Sequence, residues 1–204
     1  MLTIVILLFS VFTGSLVGNL FYPRLALRLH IHAVPNYRSL HPKTTPRGAG
    51  IVVACADLVA VAVGYWLGII QHPYFLIFFV GGLAVALVGF ADDRFDLPAI
   101  LRLAVQLAAS CWILFWFGGM PPLGLGTMVV ELGWVGAVLA ASAMVWFFNL
   151  FNFMDGIDGI TTSGTMFVTA AAASILAINN AYSLALLSAL LCAATAGVLY
   201  FNWP

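Results

Sequence analysis

Charge is what this sequence has least of. Only 7% of its 204 residues are Asp, Glu, Lys or Arg, against about 25% in soluble globular domains. A water-soluble globule is therefore excluded, and most of the surface must face a solvent that does not reward charge. Seven basic residues balance seven acidic ones, so no basic excess points to nucleic acid. Cysteine is scarce as well. Cys55, Cys111 and Cys192 each lie inside an apolar run, without the paired spacing of a disulfide framework or a metal site, and read as small packing residues. The first apolar run lacks a basic n-region and an A-x-A-like cleavage site, and Arg24 and Arg28 follow it. It reads as a retained helix rather than a removed signal.

What the chain has instead is hydrocarbon. It is 64% hydrophobic with a mean hydropathy of +1.11, and apolar runs long enough to cross a ~30 Å hydrocarbon core recur throughout. Backbone amides in lipid must be satisfied internally, which leaves helices or closed barrels. The runs are continuous rather than alternating, which argues against a barrel. The expected fold is all-α: a polytopic integral membrane helical bundle, one domain over residues 1–204, with about seven transmembrane helices. They fall near 1–22, 49–70, 74–91, 99–118, 132–150, 160–178 and 182–201.

The charges test this division independently. Arg24, Arg28, Arg38, Lys43, Arg47, Arg94 and Arg102 all lie in or beside the first, third or fifth connection. Seven spans place all of them on one side, which the positive-inside rule makes cytoplasmic, with the N-terminus outside. Asp92, Asp93, Asp96, Asp155 and Asp158 fall on the same side. Carboxylates gathered with cations at one membrane face mark where chemistry is expected. Glu131 lies on the other side, and Asp57 inside the second span, where a structural hydrogen bond is the favoured reading. His72 reads as a solvated loop residue. The Trp and Tyr residues near span ends read as interfacial anchors.

Three constellations stand at the charged face. His41-Pro-Lys43-Thr-Thr-Pro-Arg47-Gly-Ala-Gly50 closes the long first loop. Lys43 and Arg47 are anion ligands by type, and phosphate is the natural anion at this interface; as topology determinants alone they would look the same. Gly89-Phe-Ala-Asp92-Asp93-Arg94-Phe-Asp96-Leu-Pro98 ends the third span. Adjacent carboxylates near low dielectric repel, and a divalent cation or a held proton relieves them. A helix continuing through Asp96 would put Asp92 and Asp96 on one face at i, i+4; the alternative is a solvated helix end. Asn149-Leu-Phe-Asn152-Phe-Met-Asp155-Gly-Ile-Asp158-Gly precedes the sixth span. One turn would aim Asp155 and Asp158 at a single point, with Asn152 able to ligate a metal or meet a base edge; helix capping is the alternative.

Together HPKTTPRGAG, GFADDRFDLPAILRLAVQ and NLFNFMDGIDGI resemble the polyprenyl-phosphate N-acetylhexosamine-1-phosphate transferase family, from about Pro35 to Pro204. The TPRG form is closer to the O-antigen and common-antigen branch than to the peptidoglycan branch. The resemblance implies a bacterial inner-membrane enzyme whose active site faces the cytoplasm. It would transfer N-acetylhexosamine 1-phosphate from a UDP-sugar to undecaprenyl or another polyprenyl phosphate, releasing UMP and initiating cell-surface polysaccharide. The implied cofactor is Mg²⁺, with Mn²⁺ as a substitute, and a homodimer is possible in the family. Asp92 and Asp93 would be catalytic, and Asp92, Asp93 and Asp155 would hold the metal. His41, Lys43, Arg47, Arg102, Gln106, Asn152, Asp155 and Asp158 would bind substrate. Two departures matter. Ala33-Val34-Pro35-Asn36 stands where the family often has Asp-x-Pro-Asn. The family also continues past Asn202-Trp203-Pro204 into a Gly-Asp-x-Gly-Ser segment and a basic loop. The resemblance thus implies an N-terminal portion that is inactive alone. A degenerate homologue and a lipid-binding or transport subunit remain the alternatives.

Overall fold

The fold is that of a computed structural model, which describes residues 1–29, 32–33, 45–46, 48–154 and 159–203. Helix dominates, as composition demands. In chain order the helices are α1 (Leu2–Arg28), α2 (Gly50–Trp66), α3 (His72–Phe75), α4 (Gly81–Phe95), α5 (Ala99–Phe117), α6 (Gly133–Met154), α7 (Ile160–Ile178) and α8 (Tyr182–Asn202). A π-helical turn, Leu76–Val80, joins α3 to α4, so His72–Phe95 is one continuous rod. Six rods are long and apolar enough to cross a membrane, and α2 is a shorter apolar seventh of 17 residues. This is a polytopic helical membrane bundle.

Several boundaries differ from those expected. The first helix does not end before Pro23 but runs through it to Arg28. Proline removes one backbone donor, yet its fixed φ is helical, so the helix survives with one bond fewer. Arg24 and Arg28 therefore sit on the last turns of α1 rather than in a loop. The second span is shorter than expected. Trp66 ends it, Gly68 turns at φ +71, and Ile70 folds back into the core. His72 is not a loop residue. It opens α3, with its Nδ1 3.0 Å from the Tyr65 hydroxyl. Helix α6 continues to Met154, so Asn152 is helical.

Among the described residues there are two short antiparallel strand pairs. β1 (His32–Ala33) pairs antiparallel with β2 (Thr45–Pro46). β3 (Leu123–Leu125) pairs with β4 (Met128–Val130), with Leu123 opposite Val130. The β3–β4 loop is two residues long, and Gly126 takes its first position at φ +64, the left-handed conformation that primed hairpin turns require.

Helix α8 is the hub, packing on α1, α2 and α7; the series continues from α2 to α4, α5 and α6, and α6 barely touches α7. The core lies where α1, α2 and α8 meet: Leu7, Val11, Ala60, Val61, Ile70, Leu186, Leu187, Leu190 and Ala194. Gly197 sets the α1–α8 distance. A Cβ there would fall 2.7 Å from the Phe12 carbonyl and 2.8 Å from the Leu16 amide. Small residues let membrane helices approach this closely. The expected hydrogen bond for Asp57 is not found: its Oδ1 is buried without a partner among the described residues.

Candidate active site

The site is built where α4 ends. Apolar residues carry α4 through the membrane and stop at Asp92-Asp93-Arg94-Phe95, where Arg94 stacks its guanidinium 5.4 Å from the Phe95 ring. The expectation that helix would continue through Asp96 fails. Asp96 is the C-cap, at φ 47 and ψ 66, and its amide still bonds the Asp92 carbonyl at 2.9 Å. Aspartate is among the few residues that tolerate this left-handed conformation. Pro98 then caps α5, as its position before the apolar run suggested.

The tight corner turns Asp92 inward. The Leu97 amide donates to Asp92 Oδ1 at 3.0 Å, and Arg102 Nη1 donates to Asp92 Oδ2 at 2.8 Å. Both carboxylate oxygens of Asp92 are thus engaged, one by the corner and one by the first turn of α5. Consecutive helical residues diverge by about 100°, so Asp93 points elsewhere, toward the start of α2. A Cβ on Gly48 would lie 3.3 Å from Asp93 Oδ2. The two aspartates are neighbours in sequence with different surroundings.

One helical turn above Arg102, Gln106 ties α5 to α6. Asn149 Nδ2 donates to Gln106 Oε1 at 2.8 Å. That bond fixes α6 close to α5, and Asn152 follows one turn nearer the charged face. Asp92, Asp93, Asp96, Leu97, Arg102 and Asn152 line a single cavity of about 240 Å³. Residues up to 60 positions apart in sequence, Asp92 and Asn152, converge there. On the far side, Asn202 Nδ2 donates to Thr162 Oγ1 at 2.6 Å, and the Trp203 ring lies where a Cβ on Gly159 would be 3.5 Å away. The end of α8 thereby holds the start of α7.

Of the expected site residues, Asp92, Asp93, Arg102 and Asn152 are brought together. Gln106 stands one turn back as a brace. His41, Lys43, Arg47, Asp155 and Asp158 lie outside the described residues. Among the described residues no three carboxylates, imidazoles or thiols are close enough to form a metal site alone. The donor set nonetheless suits Mg²⁺ by type, being carboxylate and amide oxygens. Asp96 and Asn149 belong to the sequence motifs but are not among the expected site residues. Asp96 lines the cavity because the left-handed cap swings it there, which no spacing rule reveals. Tyr22 was read as an interfacial anchor, but it is buried at 4% exposure.

The sequence comparisons converge on one group of proteins. The sequence model of glycosyl transferase family 4 matches residues 75–204, which includes every described cavity residue. A probable undecaprenyl-phosphate N-acetylglucosaminyl 1-phosphate transferase of Bacillus subtilis is 26% identical over 186 residues, covering 88% of this chain and 50% of its own. A decaprenyl-phosphate N-acetylglucosaminephosphotransferase of Mycobacterium leprae is 29% identical, over 82% of this chain and 43% of its own. The undecaprenyl-phosphate alpha-N-acetylglucosaminyl 1-phosphate transferase of Escherichia coli K12 is 27% identical, over 91% and 50%. The chain spans about half the length of the curated relatives it matches.

Proposed function

Because this chain belongs to glycosyl transferase family 4, we propose that its charged cavity serves the transfer of N-acetylhexosamine 1-phosphate from a UDP-sugar to a polyprenyl phosphate. The observation that carries the reading is the cavity itself. Three aspartates from α4 and its C-cap, an arginine from α5 and an asparagine from α6 meet at one membrane face. A lipid phosphate and a water-soluble nucleotide can meet only at such an edge. The basic residues of that face make it cytoplasmic by the positive-inside rule, in the inner membrane of a bacterium.

In the reaction a phosphate oxygen of the lipid attacks the β-phosphorus of the UDP-sugar. A phosphorus–oxygen bond forms to the lipid, the bridging bond to the α-phosphate breaks, and UMP leaves with that oxygen. Positioning and charge neutralisation do most of the work in such transfers. Asp93 faces the lipid phosphate and takes up any proton it still carries. Arg102, held by Asp92, presents its remaining donors to the diphosphate. Asn152, Asp155 and Asp158 hold the nucleotide-sugar, while His41, Lys43 and Arg47 bring further anion ligands from the first loop. Asp92, Asp93 and Asp155 would hold Mg²⁺, which offsets charge on the diphosphate.

The test uses the gene's whole product, residues 1–204 with any residues its reading frame encodes beyond them. Membranes containing it are incubated with radiolabelled UDP-N-acetylglucosamine, undecaprenyl phosphate and Mg²⁺. Label is expected in the organic phase with equimolar UMP, and loss of both on adding EDTA or on Asp93→Asn. Absence of lipid-linked label from the wild type, across UDP-N-acetylhexosamines, would sink the proposal.

A further inference from the structure

The β3–β4 hairpin takes no part in the cavity. It joins α5 to α6 at the opposite end of the bundle. Its register sorts its side chains. Residues opposite one another in an antiparallel pair share a face; Leu123 stands opposite Val130, and Gly124 opposite Val129. Successive residues alternate, so Leu123, Met128 and Val130 lie on one face, and Gly124 and Val129 on the other. The first face is apolar and the second nearly bare. Among the described residues, no helix packs along either strand. The tie to the bundle is at the base, where a Cβ on Gly136 would stand 3.1 Å from Met120 Sδ. Met128 is left 67% exposed and Val129 71%.

An exposed apolar face calls for a cover, and a lone two-stranded hairpin is marginal in water. Lipid is the cover within reach. No Asp, Glu, Lys or Arg occurs from 103 to 130. Both strands are tethered to membrane-crossing helices, β3 through residues 118–122 and β4 through residues 131–132. Trp134, in the first turn of α6, is exposed, as an indole at the headgroup level would be. We propose that this hairpin is an interfacial anchor: it lies in the headgroup layer of the leaflet opposite the charged cavity, with Leu123, Met128 and Val130 toward the acyl chains. Its depth is bounded from both sides. The outer strand edges present unpaired N–H and C=O groups, which hydrocarbon does not tolerate. The backbone therefore stays among headgroups and their water, and only the apolar face reaches the acyl boundary. The turn at Gly126–Thr127 remains in water. A second copy pairing along a strand edge would cover that edge but leave the apolar face bare, so lipid is the occupant that fits. The inference rests on no part of the catalytic reading.

The experiment measures depth in nanodiscs. In a variant with Cys55, Cys111 and Cys192 replaced by alanine, a nitroxide is attached after Thr127→Cys, Met128→Cys or Val129→Cys. Its collisions with oxygen, which concentrates in lipid, are compared with those with a water-soluble nickel chelate. The oxygen-to-nickel ratio is expected to be highest at 128, lower at 129 and lowest at 127, the first exceeding the last at least about threefold. A ratio at 128 no higher than at 127 puts the hairpin in water and overturns the proposal. So does a higher ratio at 129 than at 128, or a label at 128 shielded from both reagents, which a protein cover would give. The unlabelled wild type supplies a second reading that stands even where a cysteine variant fails to fold. Phospholipid with a diazirine on its acyl chain near the glycerol is photolysed in the same nanodiscs. Adducts are expected on the segment from Leu123 to Val130; adducts on α5 and α6 without any on that segment overturn the proposal.

Discussion

At the scale of single residues, the structure separates side chains that sequence treats alike. Asp92-Asp93 stands out as an acidic pair, but nothing in the pair says that Arg102 and the Leu97 amide hold Asp92. That follows from helical phase and from neighbours supplied by packing. Asp92 accepts from Leu97 and Arg102. In Asp92→Asn one oxygen can still serve Leu97, but the amide nitrogen would face the donors of Arg102. This variant is expected to lose up to about 1 kcal/mol of stability together with turnover. Asp93→Asn is expected to lose turnover by at least about 100-fold; wild-type turnover in that variant would contradict the assignment. The Arg102–Asp92 pair is part-exposed, at 36% and 17%, so its direct worth to stability is under about 1 kcal/mol. Arg102→Lys keeps the charge but loses the planar fork. It should therefore cost rate, about tenfold, rather than fold; comparing turnover with melting temperature separates the two. Tyr22 was hidden for the same reason as Asp92's partners. A tyrosine near a span end looks like an anchor, as exposed Tyr182 and Tyr200 do, and only packing reveals that Tyr22 turns inward.

At the scale of elements, hydropathy found the spans but not the left-handed cap at Asp96 or the π-helical turn at Leu76–Val80. An apolar run long enough to cross a membrane has few other fates, so all seven spans were legible to within a few residues. Turns depend on single dihedrals, which leave little mark on composition. Asp96 is the clearest case. Its left-handed backbone costs a non-glycine residue roughly 1–2 kcal/mol, less for Asp than for most. Asp96→Gly is expected to stabilise the α4–α5 corner by a few tenths to about 1 kcal/mol. Asp96→Val should destabilise it by about 1–2 kcal/mol. Calorimetry of the two variants checks the sign; a stabilised valine variant would contradict the cap. The π-helical turn at Leu76–Val80 was equally invisible. Its first carbonyl, at Leu76, accepts from Trp112 Nε1 at 3.1 Å, which ties this irregular turn to α5. In lipid an unsatisfied carbonyl is costly. Trp112→Phe should therefore lower stability by about 1–3 kcal/mol, beyond what the lost ring area explains, and hydrogen exchange should rise at 76–80 rather than along the whole rod.

At the scale of the molecule, burial and charge are distributed along different axes. Burial is concentrated laterally, around α8, whose apolar window is 44% buried, whereas that of α7 is 6% and those of α5 and α6 are 11% each. Charge is concentrated vertically, at one face. The first asymmetry predicts where the fold breaks. Gly197→Val would place a side chain against the α1 backbone at Phe12 and Leu16. Backbone has no rotamer by which to retreat, so α1 and α8 must part. Several kcal/mol should be lost, far more than for Gly164→Val, where a Cβ meets nothing within 4 Å. The second asymmetry predicts orientation. With Arg24, Arg28, Arg94 and Arg102 at one face, the positive-inside rule puts that face in the cytoplasm and the Gly126–Thr127 hairpin tip outside. The spans themselves carry almost no orienting signal, so these few charges must decide it. In a variant with Cys55, Cys111 and Cys192 replaced by alanine, a cysteine at Thr127 is expected to react with an impermeant maleimide added to intact spheroplasts. A cysteine at Arg94 should react only after lysis. The reverse pattern would put the cavity outside the cell, away from the cytoplasmic nucleotide-sugar pool, and the proposed transfer would lose its donor.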